Sequence, residues 1–242
     1  MEEGDYMKKK KMDLWVKIII VILVILLIFL IVTFRKFLIL KQISKQYDED
    51  IKSTNYYAKT YSIEDGMTEL WIYEGTKMLK YTSIENGEFV ERTIYTNKQN
   101  EESWIIVNSP EQKTAVQIEY VPDRETISSA GINPGLPTSD DNWHLLQMAV
   151  IANIQNSKWN GKEAYMISFN FIEQEEYRMW VNKEDYRIIG QINGTSIDAE
   201  GNTYTNISSY SYTFNTLTED DVKMPDLTGY TIKDINGNIV QE

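Results

Sequence analysis

The period of hydrophobic positions changes three times along this chain. Residues 14–34 read LWVKIIIVILVILLIFLIVTF, an unbroken apolar run with only Lys17 and Thr33 as polar members. As a helix these 21 residues span about 31 Å, close to the hydrocarbon thickness of a bilayer. Apolar on every side, the run predicts a membrane-spanning helix rather than a buried core helix. Lys17 stands one turn in, where its stem reaches the headgroups, and Trp15 sits at the same level, as interface aromatics do. The run is longer than the roughly 7–15 apolar residues of a signal peptide, and Thr33-Phe34-Arg35-Lys36 offers no small-x-small cleavage site, so an uncleaved signal anchor is expected.

The pattern then shifts to a stripe. Leu40, Ile43, Tyr47 and Ile51 recur at three- and four-residue steps and predict a helical stalk over residues 35–53. Such a stripe has two uses. It can pair with a neighbouring chain, or it can lie on the membrane surface or on the folded domain.

From Asn55 onward the period is two. Strands are predicted at about 56–62, 67–74, 76–84, 88–96, 102–108, 114–121, 163–171, 174–182, 186–193 and 203–214. Tyr165, Ile167 and Phe169 alternate with Met166, Ser168 and Asn170, and Val116, Ile118 and Tyr120 alternate with Gln117 and Glu119. Turn residues separate the strands at Asp65-Gly66, Glu74-Gly75, Asn86-Gly87, Asn160-Gly161, Gly194, Gly201-Asn202 and Asn236-Gly237, where positive φ is tolerated. One polar and one apolar face per strand predicts a curved antiparallel sheet. One helix interrupts it, expected over about 140–156 and capped at Thr138. Trp143, Leu146, Val150 and Ile154 are its expected buried face, widened by Leu145, Met148, Ala149 and Ala152. Four segments result: a head (1–13), a membrane helix (14–34), a stalk (35–53) and a β-rich domain (54–242).

Charge sharpens the placement. The chain of 242 residues carries −12, divided as +3 over residues 1–53 and −15 over residues 54–242. Lys8, Lys9, Lys10 and Lys11 precede the run in a short head, which by the positive-inside bias leaves the N-terminus in the cytoplasm and the acidic domain outside. An acidic domain repels phosphate backbones, so nucleic acid is not an expected partner. No cysteine is present, which excludes disulfides, thiolate metal sites and thiol nucleophiles.

Candidate chemistry is sparse. The single histidine, His144, stands beside Trp143 without a metal-binding companion. Glu173-Gln174-Glu175-Glu176 and Glu219-Asp220-Asp221 are acidic runs without calcium-loop spacing and read as solvated turns. No phosphate-binding glycine loop or nucleophile elbow occurs, so no enzyme activity, metal or cofactor is expected. The aromatic load is more distinctive: 16 Tyr, 7 Phe and 6 Trp. Tyr204, Tyr210, Tyr212 and Phe214 share one face of one strand. They either line a cleft for an apolar ligand or form core and cross-strand pairs. The residues that would line such a cleft are Trp143, Leu146, Val150, Tyr165, Phe169, Tyr204, Tyr210 and Tyr212.

The second half carries a resemblance. Trp159-Asn160-Gly161-Lys162-Glu163-Ala164-Tyr165-Met166-Ile167 is a turn followed by a strand. Then come Tyr177-Arg178-Met179-Trp180-Val181-Asn182-Lys183-Glu184 and Arg187-Ile188-Ile189-Gly190. Tyr210-Ser211-Tyr212-Thr213-Phe214-Asn215 and Pro225-Asp226-Leu227-Thr228-Gly229-Tyr230 close the series. Residues 140–230 thereby resemble Gram-positive, membrane-anchored relatives of the lipoprotein-carrier (LolA-like) superfamily. The resemblance implies a half-open antiparallel barrel covered by a helix, in a bacterial cell envelope. It does not imply lipoprotein transport, because this chain is tethered and has no cysteine to acylate.

The expected function is a single-pass, membrane-tethered, extracytoplasmic module that binds or senses a lipid or other hydrophobic ligand. The alternative is a non-enzymatic structural or interaction component with an envelope protein partner, and a hydrolase using dispersed carboxylates is a third reading. Protease added to intact cells should digest residues beyond Asn55. Protection of those residues until lysis would reverse the orientation.

Overall fold

The computed structural model describes residues 2–62, 66–85, 87–120, 132, 134–169, 177–197 and 203–241. The side chains of residues 1–13, Ser196, Ile197, Tyr204 and Gln241 are not part of that description. One helix, α1, runs from Glu2 to Asp50 without interruption. No glycine or proline occurs between Asp5 and Asp50, so nothing in the backbone breaks it. At 1.5 Å per residue its 49 residues reach about 73 Å. The stalk is therefore not a separate element. It continues the membrane-length helix.

Among the described residues, thirteen strands form one open curved sheet. They are β1 (Asn55–Ser62), β2 (Gly66–Tyr73), β3 (Thr76–Glu85), β4 (Glu88–Asn97), β5 (Glu102–Asn108), β6 (Lys113–Ile118), β7 (Ala152–Trp159), β8 (Lys162–Phe169), β9 (Tyr177–Asn182), β10 (Ile188–Ile197), β11 (Thr203–Phe214), β12 (Thr231–Lys233) and β13 (Ile239–Gln241). Their spatial order is β13-β12-β6-β5-β4-β3-β2-β1-β11-β10-β9-β8-β7. Two antiparallel meanders, β1–β6 and β7–β11, join where β11 pairs with β1, Tyr56 opposite Phe214. Among the described residues, the one parallel pairing sets β12 against β6.

The ten expected strands are present with small shifts of their ends. Asn160 adopts φ 48° and Gly161 φ 82°, the left-handed pair that a two-residue Asn-Gly hairpin needs. The expected turns at Asp65, Asn86 and Gly201-Asn202 fall on residues outside those described. The start of β7 reads by spacing as the tail of a helix, and the structure corrects this. The helix, α2 (Asn142–Ile151), stops when Ala152 turns to extended backbone (φ −64°, ψ 136°). Ala152 and Ile154 then alternate with Asn153 and Gln155, and pair with Phe169 and Ile167 of β8. Ile154 fits both a helix step from Val150 and this alternation, and the strand partner decides. The cap is Asp141 rather than Thr138: its Oδ1 accepts the backbone N–H of His144 at 3.2 Å.

The concave face of the sheet is covered by the chain's own α1. Ile39, Leu40 and Ile43 are buried, with Tyr47 and Phe37 packed beside them. They meet Tyr56, Ala58, Leu70, Ile72 and Leu79 from one meander and Ile167, Met179, Val181, Ile188 and Tyr210 from the other. Leu145 and Ala149 of α2 close the cluster. Polar contacts pin the helix along its length. Lys36 Nζ donates to Ala152 O at 2.6 Å, Asp48 Oδ2 accepts from Ser139 N at 2.9 Å, and Asp50 receives both Nε and Nη2 of Arg187 at 2.8 Å. Arg187 also lies over the Phe214 ring, 4.0 Å from its centre.

The convex face has its own smaller packing. Trp159 and Trp180 meet at 4.5 Å, and a Cβ on Gly190 would fall 2.2 Å from the Trp159 indole, so only glycine admits that ring. Further along, a short 3-10 helix (Glu219–Val222) packs against β2 and β3. From there the C-terminal segment reaches β6, where Lys113 lies over Tyr230 at 6.0 Å.

Truncating the helix stripe should unsettle the whole sheet. Leu40→Ala is expected to cost about 2–5 kcal/mol, read by denaturant unfolding in micelles. Arg187→Ala strands a buried Asp50 and should cost about 3–5 kcal/mol. If either variant unfolds like the parent, α1 is not part of the core.

Candidate functional site

The residues expected to line an apolar cleft divide into two groups. Phe169 and Tyr210 are buried in the core, and Tyr165 and Tyr212 pack against it. The phenols on β11 are paired: Tyr210 Oη donates to Gln191 Oε1 at 2.8 Å and Tyr212 Oη to Ile188 O at 2.6 Å. Tyr165 stacks on Tyr186 at 6.5 Å, with Lys183 Nζ 5.3 Å above its ring. The void beside them, among Ile43, Tyr47, Arg187 and Tyr212, holds no more than about one water molecule. On this half of the concave face the aromatic residues pack into the cluster that α1 completes. Tyr204 stands on β11 opposite Ser196, and its side chain lies outside the described residues.

The second group is corrected. Trp143, Leu146 and Val150 face outward from α2, with exposures of 66%, 37% and 50%, and the buried side is Leu145 and Ala149. The helix is apolar nearly all round, so two stripes satisfied the same spacing, and α1 selected the other one. The stalk stripe is likewise closed to a neighbouring chain. Leu40 and Ile43 are used by the sheet, and only Ile51, just past the helix end, is exposed.

The concave face continues beyond α1. Strand register places Ala58, Leu70, Leu79, Ile94, Ile105 and Val116 in one row across β1–β6. Exposure along it rises from 0% at Ala58 and Leu70 and 2% at Leu79 to 36% at Ile105. Tyr81 and Val107 stand half-buried in the next row on the same face. At the rim Arg92 Nη2 donates to Glu85 Oε2 at 2.9 Å, and that guanidinium holds the Glu85 carboxyl down at about 2. This arrangement is an apolar floor with a charged edge. No single residue announced it, because the row is assembled by register from strands that are individually unremarkable in composition.

The opposite face carries a groove of about 240 Å³ lined by Tyr73, Glu74, Asn97, Gln99, Glu219 and Lys223 among others. Its acidic run has structural employment: Asp221 Oδ2 accepts from both Thr218 N and Thr218 Oγ1, and Asp220 pairs with Lys223. His144 is exposed and holds Asp141 Oδ2 at 2.6 Å. Among the described residues no three His, Asp or Glu side chains gather as a metal ion requires. The run Glu173-Gln174-Glu175-Glu176 lies outside the described residues.

The buried phenols give the domain an alkaline limit. Burial pushes Tyr177 and Tyr210 up to about 12, and Tyr212 well above its ordinary value. Folded values above the unfolded value of about 10 mean that this stabilisation is complete below pH 10 and is lost as pH rises through 12. Resistance to denaturant should fall by roughly 2 kcal/mol per phenol by pH 12, and Tyr210→Phe should flatten the fall. A level profile to pH 12 would mean that these rings are wet.

No protein-family model matches the sequence, and no curated protein does. Among the solved structures that align with this chain are these two. An uncharacterised conserved protein from Thermus thermophilus aligns with a TM-score of 0.42 at 11% identity, over 81% of this chain and 96% of its own. MucB, solved in complex with a periplasmic MucA segment, aligns with a TM-score of 0.31 at 9% identity, over 77% of this chain. This chain spans 59% of the length of that MucB chain.

Proposed function

We propose that this chain is a membrane-tethered, LolA-like extracytoplasmic module that binds a hydrophobic chain and does no chemistry on it. The observation that carries the reading is the exposure gradient along one row of the concave face. A sheet built to be wholly core would bury Ile105 as it buries Leu70. Here the apolar row runs on past the helix that covers its first half. An aliphatic chain laid across Leu79, Ile94, Ile105 and Val116 would extend the packing that α1 begins, and the Arg92–Glu85 pair forms the polar rim at which such a chain would end.

The interaction reading draws on the same surface. With the stalk stripe used internally, a protein partner would offer an apolar segment to the open rows, or a strand to β7, which has β8 on one side only.

A photoreactive amino acid in place of Ile105, activated in native membranes, separates these readings. A lipid adduct on the chain, lost when Arg92→Glu and Val107→Asp are added, is the expected result. A protein adduct would favour the envelope-complex reading. Reaction with water alone would remove both.

A further inference from the structure

α1 and α2 lie antiparallel, and their contacts set the height of α2 above the membrane. Lys41 Nζ donates to Asn142 Oδ1 at 2.8 Å at the start of α2, and Lys36 Nζ donates to Ala152 O at 2.6 Å just past its end. The C-terminal end of α2 is thus level with Lys36, two residues beyond the apolar run. The folded domain also begins there without a spacer: Thr33 is 7% exposed, while every residue from Leu14 to Val32 is exposed. Those 19 exposed residues cover about 28 Å, a bilayer core, so the rim of the domain lies at headgroup level.

At that level the rim is apolar. Phe34 and Leu38 on α1 are 59% and 46% exposed, and Leu146, Val150 and Ile151 on α2 are 37%, 50% and 46% exposed. One turn higher the outer face of α1 becomes Gln42, Lys45 and Glu49, all exposed. The exposed apolar surface of the spanning helix therefore continues onto α2 while the outer face of α1 turns polar, and Trp143 at the far end of α2 is exposed as well. Arg35 is exposed at the same height, a cation suited to an anionic headgroup in a domain that is otherwise acidic.

We infer that the outer face of α2 is a second membrane contact: Leu146, Val150 and Ile151 sit in the lipid interface beside Phe34 and Leu38, and the domain rests on the bilayer. The occupant of this face is lipid because the face is continuous with the lipid-facing surface of α1. The inference rests on the membrane-spanning reading of α1 and is independent of any ligand on the sheet.

The chain has no cysteine, so single labels are unambiguous. Full-length protein carrying Val150→Cys, Ile28→Cys or Asn156→Cys is spin-labelled and placed in vesicles of phosphatidylethanolamine and phosphatidylglycerol. Relaxation by oxygen and by a water-soluble nickel complex is then compared. Positions 28 and 150 should favour oxygen several-fold over nickel, with 150 shallower, and 156 should favour nickel. A lipidic 28 with an aqueous 150 overturns the inference and leaves the span intact. An aqueous 28 overturns the span itself. Spin–spin broadening at 150 that disappears on dilution with unlabelled protein would assign the face to a second copy instead. Leu146→Cys, read the same way, guards against a local effect of one substitution.

Discussion

Everything in this fold depends on the burial of one stripe of α1 in the concave face of the sheet. A sheet that is apolar on its inner face cannot stand in water, and this chain covers half of it with the helix that precedes it. Complete burial of Leu40 and Ile43 contributes about 1.5–3 kcal/mol each, more than any exposed ion pair in the molecule. The hydrophobic contact alone would tolerate sliding by a turn. The two-pronged Arg187–Asp50 pair does not, since a planar fork meets a carboxylate in one register. Burial supplies the stability, and the ion pair fixes the position.

Ten of the thirteen strands were legible because they are short, alternate clearly and in several cases end at residues that tolerate positive φ. Asn160-Gly161 and Glu74-Gly75 both do so. The stalk stripe was also legible, but its partner was not: nothing local distinguishes a stripe that meets a second chain from one that meets both meanders of its own sheet. α2 failed differently. Trp143, Leu145, Leu146, Met148, Ala149 and Val150 leave it with almost no polar side, so spacing could not choose between faces. β12 and β13 have three residues each and exist because β6 offers an edge, which is a tertiary fact.

The candidate site was the least legible part. Aromatic residues drew attention to the half of the sheet where they form core around Tyr210 and Tyr212. The row through exposed Ile105 and half-buried Val116 is aliphatic and ordinary in sequence. It stands out only once register has aligned six strands and α1 has covered some of them. Composition marks what is unusual, whereas an open binding surface is marked by what the fold leaves uncovered.

The absence of any hinge between Asp5 and Asp50 has a mechanical consequence. Transmembrane helices lean to match their apolar length to the local bilayer, by about 20° on average. On the membrane-spanning reading of α1, the rod that leans would also be the spine of the β-sheet, so the angle would be handed on undiminished. A change in bilayer thickness would swing the outer meander through an arc, like the far end of a lever, and alter the height at which its uncovered row faces the surroundings.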